Sequence, residues 1–169
     1  LDVSEGSLEA NLNTLKDSGN VGGHIKGMVN IPMGDKAAIR VVAYHTSYAG
    51  FIDALGEDDS ITKDVNSGSR TGGRVAIKFA PSENVTITPR VIYQEISADG
   101  FNRQEVFNLY ANPHTTTRPA IKLGPRQQYL LQPEAFEDKT FIADLNAEIA
   151  FNGFDLTSVT SYTDRDILV

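Results

Sequence analysis

The feature that most constrains this chain is an alternation of apolar and polar residues with a period of two, cut by connectors of alternating length. Val75, Ile77 and Phe79 alternate with Arg74, Ala76 and Lys78. The run from Val85 to Tyr93 puts Val85, Ile87, Pro89, Val91 and Tyr93 on one side. The run from Phe141 to Phe151 does the same with Ala143, Leu145, Ala147 and Ile149, and Ile25, Gly27, Val29 and Ile31 repeat the pattern earlier. Ile39, Val41 and Ala43 alternate less cleanly with Arg40, Val42 and Tyr44. Successive side chains of a strand point to opposite faces, so each run has one apolar and one mostly polar face. Helical periodicity fits poorly. Strands are expected near 6–13, 22–32, 37–48, 69–80, 85–98, 139–151 and 154–166.

The connectors carry more information than the strands. Residues 14–21, 49–68 and 99–138 are moderate to very long, whereas Met33-Gly34-Asp35-Lys36, Pro81-Ser82-Glu83-Asn84 and Asn152-Gly153 are tight. Asn-Gly predicts a type I′ hairpin turn, with positive φ at both central residues. In an up-and-down sheet this order gathers every tight turn at one end and every longer loop at the other. Outer-membrane barrels sort their connections in this way, and soluble meanders have no general reason to. Phe141 and Phe151 share a face ten residues apart. At ~3.3 Å per residue and ~40° tilt they stand ~25 Å apart along a barrel axis, the height of a lipid-facing band. Phe79, Phe151 and Phe154 suit a lower aromatic girdle, and Tyr93, Phe141 and Tyr162 an upper one; the same rings also suit core anchors of a soluble sandwich. The mid-strand charges Arg40, Arg74, Lys78, Arg90, Asp144 and Glu148 suit a wet lumen or an ordinary solvent-facing surface. Pro89 lacks a ladder donor and points to a bulge or an edge strand.

Composition narrows the remaining classes. The length of 169 residues fits about one domain. A net charge of -7 disfavours non-specific nucleic-acid binding, and zero Cys excludes a disulfide framework and thiol chemistry. No apolar run approaches the ~18 residues of a membrane helix. No signal peptide opens the chain, and Leu1-Asp2-Val3 is not an initiator sequence, which suggests a piece of something longer.

Several segments together resemble the early barrel section of TonB-dependent outer-membrane receptors. They are Gly22-Gly23-His24-Ile25-Lys26-Gly27-Met28-Val29-Asn30-Ile31-Pro32, Ala38–Tyr44 leading to Gly50-Phe51-Ile52-Asp53, Gly72–Phe79 followed by Pro81, Phe136–Lys139, and Leu156–Tyr162. The resemblance covers most of the chain outside loop 99–138 and rests on order and spacing rather than on one motif. It implies a longer parent with an N-terminal plug inside a barrel of about 22 strands. The chain would then be an all-β, antiparallel up-and-down part of a transmembrane β-barrel, spanning 1–169 and lacking the plug and the remaining strands. The implied location is the outer membrane of a Gram-negative cell. The implied partners are outer-membrane lipid, the rest of the barrel and plug, TonB indirectly, and a scarce small-molecule nutrient such as a ferric siderophore. No nucleic acid, cofactor or catalytic function is expected. The rival class is a soluble binding module, lipocalin-like or lectin-like; the missing Trp, the long loop and the sorted connectors count against it.

Loop 99–138 is the expected ligand surface, since loops beyond ~12–15 residues are usually functional or disordered. Its candidate residues are Arg103, Gln104, Tyr110, His114, Arg118, Lys122, Arg126 and Tyr129, a set suited to an anionic or aromatic ligand. Other chemistry is weakly supported. His24, His45 and His114 lack metal-ligand spacing. Glu57-Asp58-Asp59 reads as a solvated acidic loop rather than a hard-cation site. Gly68–Gly73 leads into a strand and lacks the lysine of a phosphate loop. Asn84-Val85-Thr86 matches a glycosylation pattern by chance at a tight turn. Asp144 and Glu148 are ~13 Å apart on one strand face, too far for joint acid–base work. No Gly-x-Ser-x-Gly motif occurs.

Overall fold

The computed structural model describes residues 3–104, 114, 120–130 and 132–169. Among these residues ten strands form two sheets and there is no helix. The strands are β1 (Glu5–Thr14), β2 (Val21–Pro32), β3 (Ala37–Tyr48), β4 (Asp53–Leu55), β5 (Ile61–Thr62), β6 (Gly68–Ser82), β7 (Val85–Ala98), β8 (Gln127–Tyr129), β9 (Phe136–Phe151) and β10 (Phe154–Leu168). The seven long ones match the seven expected spans, most being extended by one to three residues at an end.

The main sheet has the order β1-β2-β3-β6-β7-β9-β10, with every neighbouring pair antiparallel. It is an up-and-down meander. The β2–β3, β6–β7 and β9–β10 turns therefore lie at one end, and the connections through 15–20, 49–67 and 99–135 at the other, as the connector lengths predict. The sheet is open: β1 and β10 each have one strand neighbour and are exposed along their whole length.

Cross-strand partners share a face, so the register assigns the faces directly. Ile39 pairs with Ile77, Val41 with Val75, Val75 with Val91, Val91 with Ala143, and Tyr93 with Phe141. Ile77, Ile87, Leu145 and Ile149 lie on this apolar face. Arg40 and Arg90 both pair with Ala76, and Arg90 pairs with Asp144, so Arg74, Lys78 and Glu148 join them on the opposite face. Between the tight turns and the level of Tyr93 and Phe141 the apolar face carries no charge; Asp164 stands at that level, and His45, Glu95, Lys139 and Asp166 lie beyond it.

The turn ends are staggered in a regular way. The row Ala37, Phe79, Ile87, Ala147, Ser158 runs straight across the ladders. The β2–β3 turn closes at that row, where the Met33 amide donates to the Ala37 carbonyl. β7 begins two residues beyond it at Val85, and β10 begins four residues beyond it at Phe154. The hairpin ends thus step by two residues for every two strands.

Three details differ from the sequence reading. Gly153 has φ +103°, but Asn152 is not in the positive region, so the turn has the sign pattern of type II rather than type I′. Pro89 lies in β7, between β6 and β9, and not on an edge. Its lack of an N–H coincides with a gap in the β6–β7 ladder between Ala76/Arg90 and Phe79/Ile87, while it stays paired to Leu145 on the other side. The bulge lies nearby in β6, where Ala80 and Pro81 stand against Thr86 alone. The loops 49–68 and 99–138 are also not wholly irregular: they supply β5, β4 and β8, a small sheet in which β4 and β8 run parallel.

Among the described residues no second layer covers the main sheet. The buried hydrophobic residues among those described are Ala38, Ala49, Ile52, Ala54 and Val65, and of these only Ala38 belongs to a long strand. The one compact apolar cluster, Ile52, Ala54 and Val65 with Phe51 and Leu130 against it, lies in the loop region.

Candidate functional site

The loop region is built from side chains that replace missing strand ladders. Asn66, 7% exposed, accepts the amides of Phe51 and Ile52 on its Oδ1 at 2.8 and 2.9 Å and donates through Nδ2 to Asn102 Oδ1 at 2.7 Å. One side chain therefore ties three stretches of the chain together. Asp64, buried and at φ +56°, accepts the Gly19 amide at 2.8 Å and Asn20 Nδ2 at 3.4 Å. This fastens the β1–β2 loop to the β3–β6 loop. Arg126 reaches the same loop: its Nη1 donates to the Lys16 carbonyl at 2.6 Å, and its guanidinium lies 5.9 Å from the centre of the Phe51 ring.

Beneath these connections, on the polar face at the loop end of the sheet, is a cleft of about 670 Å³. Its walls combine the ends of β2, β3, β6, β7 and β9 with the loops that leave them. Tyr48, Phe51, Phe101 and Phe136 supply rings, and Asn13 and Asn102 supply amides. The Phe101 and Phe136 rings lie with their centroids 6.4 Å apart and their planes tilted by 54°. None of the described residues that line it is Asp, Glu, Lys or Arg.

A second cleft of about 410 Å³ adjoins it further along the polar face, sharing His24 and Thr46. This one is basic, with Lys26, Arg70 and Arg74 in its walls. Arg70 donates to Gln94 Oε1 at 2.7 Å and lies 5.2 Å from the centre of the Tyr44 ring; the Tyr44 hydroxyl donates to the same Gln94 oxygen at 2.9 Å. Gly72 makes room for that hydroxyl, because a Cβ there would collide with it. The glycine-rich run 68–73 thus has a packing role within β6. Arg74 has no ion-pair partner among the described residues. Elsewhere on this face acids and bases pair across strands: Arg90 with Asp144 at 2.8 Å, Arg40 with Glu5 at 2.9 Å, and Arg165 with both oxygens of Asp138 at 2.9 and 2.6 Å.

The sequence-chosen loop residues are spread out rather than gathered. Arg103 is engaged with Glu134 at 2.6 Å. Gln104, His114 and Lys122 are exposed. Arg126 ties loops together as described, and Tyr129 sits in β8 opposite Leu55. Tyr110 and Arg118 lie outside the described residues. None of the described candidates lines the large cleft. A signal for it was present in the alternation: the last polar-face row at the loop end, Tyr48, Gly68, Ala98 and Phe136, carries no charge.

Among the described residues no three His, Asp or Glu side chains converge to hold a metal ion. His24 contacts Glu9 at 2.8 Å and His45 contacts Thr71 at 2.7 Å, on opposite faces of the sheet. No protein-family model, curated protein or solved structure matches the chain.

Proposed function

We propose that the chain forms part of the wall of an outer-membrane transport barrel of the TonB-dependent kind, one that admits a scarce nutrient through the loop end. The observation that carries this reading is the charge-free apolar band between the tight turns and the level of Tyr93 and Phe141, which is bordered by aromatic residues and, among the described residues, covered by no second layer. A soluble sandwich or lipocalin-like calyx buries such a face against its own chain. Lipid and further strands satisfy it here, and they also take up the unpaired edges of β1 and β10.

The stagger of the turns supports the same reading. One residue per strand is ~3.3 Å of slip for each ~4.8 Å of lateral spacing, which brings the turns level when the strands tilt by about 35°. Membrane barrels tilt their strands by about 35–45°. The polar face then lines the lumen, where its cross-strand ion pairs remain hydrated, and the two clefts open toward the loop-side mouth. The role is passage of a bound solute, with the energy supplied through the parent's plug and TonB.

Because the chain has no Cys, single cysteines test this reading cleanly. In intact cells producing the protein, a membrane-impermeant maleimide labels Asp58→Cys in the β4–β5 connection and leaves Asn152→Cys in the β9–β10 turn unlabelled until the outer membrane is opened. Equal labelling of both, or labelling of neither before complete lysis, overturns the proposal.

A further inference from the structure

We propose that the large cleft selects an uncharged ligand with a flat apolar face and several hydroxyl groups, the chemistry of a neutral saccharide. The inference deepens the transport reading by naming a substrate class, and its test is separable from that reading. Although 22% of the chain is charged, none of the described residues that line this cleft is Asp, Glu, Lys or Arg. An anion or cation entering it loses hydration and gains no counter-charge. A neutral polyol loses much less, since its hydroxyls cost far less to dehydrate than an ion, and its C–H face packs on rings. Tyr48 and Phe51, at the end of β3, and Phe101 and Phe136, on either side of the β7–β9 connection, offer those rings from three separate stretches of the chain.

Hydrogen-bonding capacity remains in the right place. Asn102 accepts from Asn66 through Oδ1, while its Nδ2 makes no hydrogen bond among the described residues. Asn13 donates to Asn11 through Nδ2, leaving its Oδ1 as an acceptor. A donor and an acceptor in a cleft that also presents aromatic rings match hydroxyls that both give and take hydrogen bonds. The adjoining basic cleft is distinct in character: Lys26, Arg70 and Arg74 line it, and none of the three has an ion-pair partner among the described residues. A ligand that prefers it is anionic, so the two clefts make opposite demands.

Calorimetric titration of the full chain, held in a zwitterionic detergent with no sugar headgroup, decides between them. The probes are maltoheptaose, which is neutral, and heptagalacturonate, which is its anionic counterpart in size. Maltoheptaose binds saturably, with affinity unchanged within about twofold between low and high salt. Phe101→Ala and Phe136→Ala each weaken it about tenfold, and Arg74→Gln moves it less than about twofold. Phe101→Leu keeps the apolar volume and removes the ring, so a loss there reports stacking and not collapse of the cleft. Tighter, salt-sensitive binding of heptagalacturonate, or its abolition by Arg74→Gln, overturns the inference, as does the absence of saturable maltoheptaose binding. If binding fails while the cysteine-labelling pattern holds, the substrate class falls and the barrel reading stands. If binding succeeds with the wrong labelling pattern, the reverse follows.

Discussion

The long sheet and the loop region at its end are held together in different ways. The sheet has regular ladders over seven strands but almost no buried apolar side chain, and its largest hydrophobic residues are exposed, Phe154 at 63% and Leu145 at 45%. The loop region has three strands of two or three residues, yet it contains the one apolar cluster among the described residues and its buried locking residues Asp64 and Asn66. The sheet relies on its surroundings for its apolar face, whereas the loops fold on themselves and on the sheet's end. Substitutions in the sheet should therefore register in a lipid environment, and substitutions in the loops should register locally in any environment.

The largest effect is expected at Leu145, mid-way along β9 on the apolar face. Leu145→Arg costs ~2–4 kcal/mol if it sits near the bilayer midplane. Glu148→Gln, on the other face of the same strand, stays within about 0.5 kcal/mol. Folding of the full chain into lipid vesicles, followed against urea, reads both. Equal costs at the two positions break the distinction between a lipid face and a lumen face.

A smaller and confined effect is expected at Asn66. Asn66→Ala leaves the Phe51 and Ile52 amides without an acceptor and costs roughly 1–3 kcal/mol. Hydrogen exchange should accelerate at those two amides and through 49–67, while amides in the centres of β6, β7 and β9 keep their protection. Asn66→Asp retains the acceptor and loses only the donation to Asn102, so its effect is the weaker of the two. Loss of protection across the sheet in either variant contradicts the separation of the two regions.

How much was legible in the sequence follows the same division. The long strands were readable because 12 to 16 residues of alternation, as in β2 and β9, leave one consistent assignment of faces. Asp53-Ala54-Leu55, Ile61-Thr62 and Gln127-Gln128-Tyr129 are too short for a period to show. The parallel pairing of Ala54 with Gln128 joins segments that only the folded sheet brings close. The cleft was missed for a related reason. Attention to charged and stacking groups within one loop picked out Arg103 and Arg126, which pair with Glu134 and with the β1–β2 loop. The rings and amides that meet in the cleft come from separate connectors, and single-segment composition carries no trace of their meeting. Nor did the Asn-Gly pair determine its turn: two residues fit more than one hairpin type, and the twist and register of β9 and β10 choose among them.

The smallest expected effect tests whether the loop region titrates apart from the sheet. In the β4–β5 connection the Ser60 side chain, and then its amide, which donates to Asp58 Oδ1 at 3.2 Å, hold the Asp58 carboxyl below its ordinary value. A depressed carboxyl pKa means that the folded loop favours the charged form. Its stabilising contribution is therefore complete above the ordinary value of ~3.9 and is lost as pH falls through the lower, folded value. Asp58 is fully solvent-exposed, so the change should stay within its own turn. The Ser60 amide resonance should shift with a midpoint below ~3.9, and Asp58→Asn should abolish that step while resonances of the main sheet stay where they are. A midpoint at or above the ordinary value removes the Asp58–Ser60 contact from the solution structure. A midpoint shared with the sheet instead makes the two regions one titrating unit, and the contrast between them fails at its most sensitive point.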